Sequence, residues 1–264
     1  MSIATGQIKL ISTDFDGTIF AEFEQPPIAD RLVTLLGELQ SRGVKWIINT
    51  GRDMSGLMEA LGRAQLPIQP DGLVLVEREI HFRNGARYVP HQTWNAASDA
   101  AHAEIFRRVH RDLPRLRRWA SENHRAMIYE DSYSPFCMIA RNNIEADAIH
   151  AYLDEYCRDI PDLCVVRNDV YARIAHVGFN KGSALAEVGR QWGVLPENIF
   201  AAGDHLNDLP MLKPIHARWL ATNANAVPSV KETIRQSGGF ISEFPCGLGV
   251  ADGLEHFLAI RKPK

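Results

Sequence analysis

The stretch "STDFDGTIF", residues 12–20, sets two aspartates, Asp14 and Asp16, two positions apart at the end of the apolar run "IKLISTDF" (8–15), with Gly17 and Thr18 following at once. Carboxylates repel each other and rarely belong at the end of an apolar strand, so the pair asks for a chemical reason. In extended chain, residues i and i+2 face the same way. Asp14 and Asp16 therefore look out together while Phe15 points into a core, and Gly17 lets the backbone turn away without a Cβ clash.

Downstream the chain alternates strand and helix. Residues 28–42 carry Leu32, Leu35, Leu36 and Leu39 at helical spacing, and Gly43 stops that helix. "VKWIINT" (44–50) reads as a strand, 54–64 as a helix and "GLVLV" (72–76) as a third strand. Strand–helix–strand order with short connections and continuously apolar strands predicts a doubly wound, Rossmann-like parallel sheet covered on both faces. The rhythm lapses from about 79 to 176, where polar strand-like pieces and helical ones (about 99–123, divided by Pro114, and 144–158) form an inserted α+β unit. It resumes with a helix at 181–192, strands at 198–202 and 218–221, and helices at 227–236 and 251–260. The expected organisation is an α/β core of residues 1–83 and 176–264 with an α+β domain inserted at 84–175.

Length and composition set bounds on this reading. With 264 residues, 45% of them hydrophobic, the chain can bury a core domain and a smaller one. A formal charge of −3 predicts no bulk attraction to nucleic acid or an anionic membrane. No apolar run approaches the ~18 residues of a membrane helix, and the N-terminus lacks a secretory pattern, so the expected compartment is the cytoplasm. Cys137, Cys157, Cys164 and Cys246 form no C-x-x-C pair and read as reduced thiols.

In an open parallel sheet, ligands bind outside the carboxyl ends of the strands. Asp14 lies at that end of the first strand. Thr50 ends the second and is followed by Gly51 and Arg52. Asp204 follows "NIFAAG" in "GDHLND" (203–208), and Lys181 opens a helix in "GFNKGSAL". Four carboxylates, Asp14, Asp16, Asp204 and Asp208, share a site only if a cation is present or some stay protonated. Clustered oxygens favour a hard ion, and Mg²⁺ completes its shell with water and substrate phosphate. Lys181 and Thr50 suit a phosphate anion. A carboxylate nucleophile beside Mg²⁺, with a second carboxyl two residues on, suits phosphoryl transfer.

"DFDGT", "NTGR", "NKG" and "GDHLND", in that order, resemble the four motifs of the haloacid dehalogenase (HAD) superfamily phosphatases. The insert between the second and third resembles the branch with a type-two α/β cap, which includes Cof-like and sucrose-phosphate-phosphatase-like enzymes. The resemblance implies that Asp14 attacks phosphorus and becomes an aspartyl-phosphate. It implies that Asp16 protonates the leaving oxygen and then activates water. Mg²⁺ is held by Asp14, Asp204 and the backbone carbonyl of Asp16, with Asp208 in support. Thr50, Gly51, Lys181 and Asn207 bind phosphate, and the cap chooses the leaving group. The implied activity is hydrolysis of a small phosphorylated metabolite, a sugar phosphate in particular, by a monomer or small homo-oligomer.

Two rivals remain at this level: a phosphotransferase or mutase using the same core residues, and a non-catalytic phospho-receiver. Asp16 opposes the receiver, because a stable phospho-aspartate switch should not carry its own general base. Arg52 is open between a phosphate contact and a structural ion pair. His205 reads as a loop residue, the basic run Arg107–Arg118 as a solvated face, and Trp94, Trp119 and Tyr129 as core of the insert.

Overall fold

The computed structural model describes residues 8–259 of the 264. Two compact units divide the chain: one runs through His91 and resumes at Lys181, the other spans Gln92–Asn180. The core unit thus extends beyond the expected boundary at residue 83. The cause is "EIHFRNGARYVP", read from sequence as part of the insert, whose two strands pair onto the main sheet.

The first unit begins β1 (Leu10–Thr13), α1 (Asp30–Ser41), β2 (Lys45–Asn49), α2 (Met54–Ala64), β3 (Gly72–Leu75), β4 (Glu79–Asn84) and β5 (Arg87–Pro90). Helix α1 buries Leu32, Leu36 and Leu39, and the chain leaves it through Gly43 at φ +88°, a left-handed conformation that glycine adopts without strain. Asp53 caps α2 by accepting the Gly56 N–H at 2.7 Å.

The second unit holds α3 (Gln92–Val109), α4 (Leu113–Asn123), β6 (Met127–Tyr129), β7 (Cys137–Ile139), α5 (Asn143–Arg158), β8 (Leu163–Asn168) and β9 (Tyr171–His176). Its antiparallel sheet has the order β6-β7-β9-β8. Alternation along the strands turns Met138, Ala172 and Ile174 onto the helices, where they join Ile105, Leu116, Ile149 and Leu153. Pro114 falls in the first turn of α4, where its missing N–H is not needed, and so separates α3 from α4. Trp119 stacks on Tyr152 with ring centroids 3.6 Å apart, and Trp94 meets Phe179 edge-on. Tyr129 instead stands half-exposed on β6. In the basic run, Arg107 pairs with Glu104, Arg117 with Glu130, and Arg108 donates to the Pro161 carbonyl.

After the insert come α6 (Lys181–Trp192), β10 (Ile199–Ala202), β11 (Trp219–Thr222), α7 (Pro228–Gln236), β12 (Phe240–Ile241) and α8 (Cys246–Ala259). The main sheet has eight strands in the order β12-β11-β10-β1-β2-β3-β4-β5. All pair in parallel except β4 and β5. Strands β1, β3 and β10 are buried along their whole length, as continuous apolar runs require. Phe15, Trp46, Phe200 and Leu254 belong to one core cluster. Helix α8 starts earlier than the sequence reading placed it and absorbs "GLGVAD". Gly249 and Gly253 let it lie close: a Cβ on Gly249 would stand 2.4 Å from the Phe244 carbonyl and one on Gly253 2.7 Å from the Ala221 Cβ. Among the described residues no helix is long and apolar enough to cross a membrane.

Candidate active site

The carboxyl ends of β1, β2, β3, β10 and β11 deliver polar residues to one edge. Asp14 follows β1, its N–H bonded to the Ala202 carbonyl of β10 at 2.9 Å. Lys181, the first residue of α6, is fully buried, although ammonium groups rarely are without partners. Its Nζ donates to Asp14 Oδ1 at 2.5 Å and to Asp208 Oδ1 at 2.6 Å. Asn49, at the end of β2, fixes the entry to α6 by donating to the Lys181 carbonyl at 3.0 Å.

Asp208 holds more than Lys181. Its Oδ2 accepts the backbone N–H groups of Asp204 and His205 at 2.8 and 3.0 Å. This bends "GDHLND" into a tight turn, with His205 capping the short 3₁₀ helix Leu206–Asp208. Gly203 makes the turn possible, since a Cβ there would sit 2.5 Å from the Asp208 Cβ. Thr18 donates to Asp204 Oδ1 at 2.5 Å. Gly17 meets two demands: φ is +74°, and a Cβ would stand 2.6 Å from Asp204 Oδ2. Beyond β11, Asn223 and Asn225 both donate to the Gly17 carbonyl.

One ligand oxygen from each of Asp14, Asp204 and Asp208 lies within 4.8 Å of the others. Three buried carboxylates face one ammonium, so fully ionised they leave two negative charges uncompensated. Burial, then Asp208, hold Asp14 well above the usual carboxylate range despite Lys181. Burial and Asp208 push Asp204 up to about 7. Burial would lower Lys181, but Asp14, Asp208 and Glu77 outweigh it and its pKa rises, so the ammonium stays charged. The surplus charge resides on the carboxylates, a donor set of hard oxygens that fits a divalent cation.

Asp16 does not join this group. Its carboxylate forms a bidentate pair with Arg52: Nε to Oδ2 at 2.8 Å and Nη2 to Oδ1 at 2.6 Å. Of the two readings of Arg52, this is the ion pair. Thr50 is buried, its Oγ1 accepting the Arg52 N–H at 3.1 Å. Asn207 turns toward Glu77. Its Nδ2 donates to Glu77 Oε1 at 2.9 Å, and its Oδ1 is buried with no partner among the described residues.

Glu77 is the residue the sequence reading missed. It is buried beside Gly51, where a Cβ would lie 3.3 Å from its Oε1. Val76 and Glu77 carry φ of +44° and +69°, strained values for side chains of their kind. The Glu77 N–H to the Thr50 carbonyl (2.9 Å) and the Val76 N–H to the Arg52 carbonyl (3.0 Å) hold the turn. The signal was present: Glu77 follows β3 as Asp14 follows β1, and the strand-end rule points to both.

Close packing behind Lys181 gives a first prediction. A Cβ on Gly182 would stand 2.3 Å from the Pro210 carbonyl. Gly182→Ala should therefore cost about 1–3 kcal/mol by overpacking, read as a lowered denaturation midpoint at unchanged slope. An unshifted midpoint would show that α6 is not held so tightly.

A sheet of this order, with aspartates at the ends of β1 and β10 and a buried lysine opening the helix after an inserted α+β unit, defines a HAD-like phosphatase, a hydrolase of phosphoric monoesters. The chain belongs to the sucrose-6F-phosphate phosphohydrolase family, whose profile it matches over residues 7–258. It is similar in structure to the sucrose-phosphatase of Synechocystis sp. PCC6803 in complex with sucrose and phosphate, with a TM-score of 0.69, 17% identity and coverage of 95% of this chain and 98% of that one. A HAD-like hydrolase from B. subtilis matches with a TM-score of 0.68 at 18% identity, covering 94% and 99%. In sequence it is 24% identical to the 5-amino-6-(5-phospho-D-ribitylamino)uracil phosphatase of Bacillus subtilis (strain 168), over 95% of this chain and 96% of the relative.

Proposed function

We propose that the protein is a Mg²⁺-dependent phosphatase that hydrolyses a small sugar or polyol phosphate through an aspartyl-phosphate on Asp14. The observation that carries this reading is the fully buried Lys181 between Asp14 and Asp208, with Asp204 completing an anionic cluster. The substrate class follows the activities for which the family and the ribityl-phosphate phosphatase are named, which share a phosphate on a polyhydroxylated carbon skeleton.

Asp14 supplies the nucleophilic oxygen. As its bond to phosphorus forms, the bond to the leaving oxygen breaks, and Asp16 gives that oxygen a proton. The Asp16 carboxylate then takes a proton from the water that attacks the aspartyl-phosphate, returning Asp14 and releasing inorganic phosphate. Thr50 and the Gly51 backbone hold phosphoryl oxygens, and Lys181 opposes the charge that builds on them. Asp14, Asp204 and the Asp16 carbonyl would hold Mg²⁺. Asp208, whose oxygens already accept three N–H groups, supports them by fixing Lys181 and the Asp204 backbone. Asn207 orients Glu77 beside the phosphate-binding backbone. When bound, the ion offsets the surplus carboxylate charge and polarises the phosphoryl group.

Inorganic-phosphate release across a panel of sugar, polyol and nucleotide monophosphates, with Mg²⁺ and with chelator, tests the proposal. The expected result is release from sugar or polyol phosphates that stops on chelation and returns with Mg²⁺. Metal-independent turnover would sink the cation assignment. Transfer to a sugar hydroxyl without free phosphate would make the enzyme a phosphotransferase.

The carboxylates add a pH prediction. Asp14 and Asp204 are raised above the unfolded value of about 4. The metal-free folded protein therefore binds more protons than the unfolded chain, and stability falls with rising pH. This contribution is complete below the unfolded value and, for Asp204, is lost as pH rises through about 7. Added Mg²⁺ should oppose the loss, so the Tm difference between Mg²⁺ and chelator should widen from about pH 5 to about pH 8. A constant difference would contradict the charge assignment.

A further inference from the structure

We propose that Arg52 is the positioning residue for Asp16, holding its carboxylate in the orientation from which it serves the leaving oxygen. The inference rests on the acid–base reading of Asp16.

Asp16 follows Phe15, which is locked into the core, and precedes Gly17, whose backbone is left-handed. Its side chain is 36% exposed, and among the described residues its side-chain partner is Arg52. A short carboxylate at that exposure, with no partner, would sample several rotamers in water. The guanidinium selects one of them, because a bidentate fork fixes the plane of the carboxylate as well as its direction.

Arg52 is itself held on every side. Its backbone N–H donates to Thr50 Oγ1 and its carbonyl accepts from Val76. Nη1 donates to the Gly56 carbonyl at 3.2 Å. The guanidinium carbon stands 5.5 Å from the Phe15 ring centroid and 5.7 Å from that of Phe20, two rings stacked at 4.7 Å. Glu22 approaches Nη2 at 3.6 Å from the outer side. The fork is thus pre-organised before it meets Asp16.

Two other roles fit less well. As a stabilising ion pair, a half-exposed contact would contribute only about 0–1 kcal/mol, which does not account for so many restraints on one side chain. As a phosphate clamp, Arg52 would have to present its fork, and the Nε and Nη2 edge already faces Asp16. The pair leaves Asp16 able to act, because each carboxylate oxygen accepts one N–H from Arg52 and keeps a second lone-pair site.

The test uses leaving groups of different need for a proton, with Mg²⁺ present. kcat/KM reports steps only through the first irreversible one, here phosphoryl transfer to Asp14, so the later water-activating role of Asp16 does not enter. Arg52→Ala should lower kcat/KM about 10–100-fold for a sugar or glycerol phosphate, whose alkoxide needs protonation. It should leave 2,4-dinitrophenyl phosphate, whose phenolate departs unaided, nearly unchanged. Arg52→Lys keeps the charge and the stem without the fork and should fall between; it gives the same comparison if Arg52→Ala melts before assay.

Equal losses on both substrates, or no loss on either, overturn the assignment, because a structural or phosphate-binding arginine would not discriminate between leaving groups. Asp16→Asn is the internal control and should show the steepest dependence on leaving group. If it shows none, the acid–base reading of Asp16 fails and the inference falls with it. If Asp16→Asn shows the dependence and Arg52→Ala does not, only the role of Arg52 fails.

Discussion

Asp14→Asn should abolish phosphatase turnover, by roughly 10⁴-fold or more, as expected when the group that forms the covalent intermediate is replaced by a neutral isostere. The fold should survive. Asparagine has the same shape, and Asp14 is a carboxylate held above its usual range by burial and by Asp208. Removing its charge relieves repulsion within the cluster, while Lys181 keeps Asp208 as a partner. In chelator the variant should therefore melt at the same temperature as the parent or above it. Acid-quenched reactions should trap phosphate on the parent and none on the variant. Retained turnover, or an unchanged trapped phosphoenzyme, would move the nucleophile elsewhere.

The second large effect concerns Lys181. Lys181→Met should cost about 3–5 kcal/mol, because it leaves buried carboxylates facing one another with no counter-charge. It should also lower activity by at least about 10²-fold, the loss typical of removing one charge-stabilising donor from an active site. The two effects can be separated. Lys181→Met combined with Asp208→Asn removes one cation and one anion together, so much of the stability should return while activity stays low. Recovery of activity along with stability would reduce Lys181 to a structural counter-ion.

The parallel half of the fold was legible because a strand buried on both faces is written as an unbroken apolar run, as in "GLVLV", and because glycines such as Gly43 punctuate it. The β4–β5 hairpin was misplaced for a reason the same rule explains. A hairpin at the margin of the sheet, partly exposed to solvent, carries residues such as Arg83 and Arg87 and looks like part of a polar insert. At the site, Asp14, Lys181, Asp204 and Asp208 were legible because they sit in short motifs with few alternative uses. Asn223 and Asn225 were not, because each acts through a contact to the Gly17 carbonyl with nothing local to mark it, while Glu77 was passed over although it follows β3 as Asp14 follows β1. Arg52 was legible as a residue of interest, but its choice between phosphate and carboxylate depends on where Asp16 turns, which only the fold determines.

The ion pair between Lys181 and Asp14 joins residues 167 positions apart, with the whole second unit lying between them in the chain. During synthesis this has a consequence of order. β1 acquires its neighbour β2 early, but its other neighbour β10, the ammonium for Asp14, and Asp204 with Asp208 all come after residue 180. A nascent chain that has emerged only as far as the inserted unit can complete that unit, which has its own core. It cannot complete the sheet edge where Asp14 sits. The nucleophile therefore waits unpaired for most of translation, and a ribosome stall before residue 181 yields a chain with one finished domain and one lacking three of the eight strands of its central sheet.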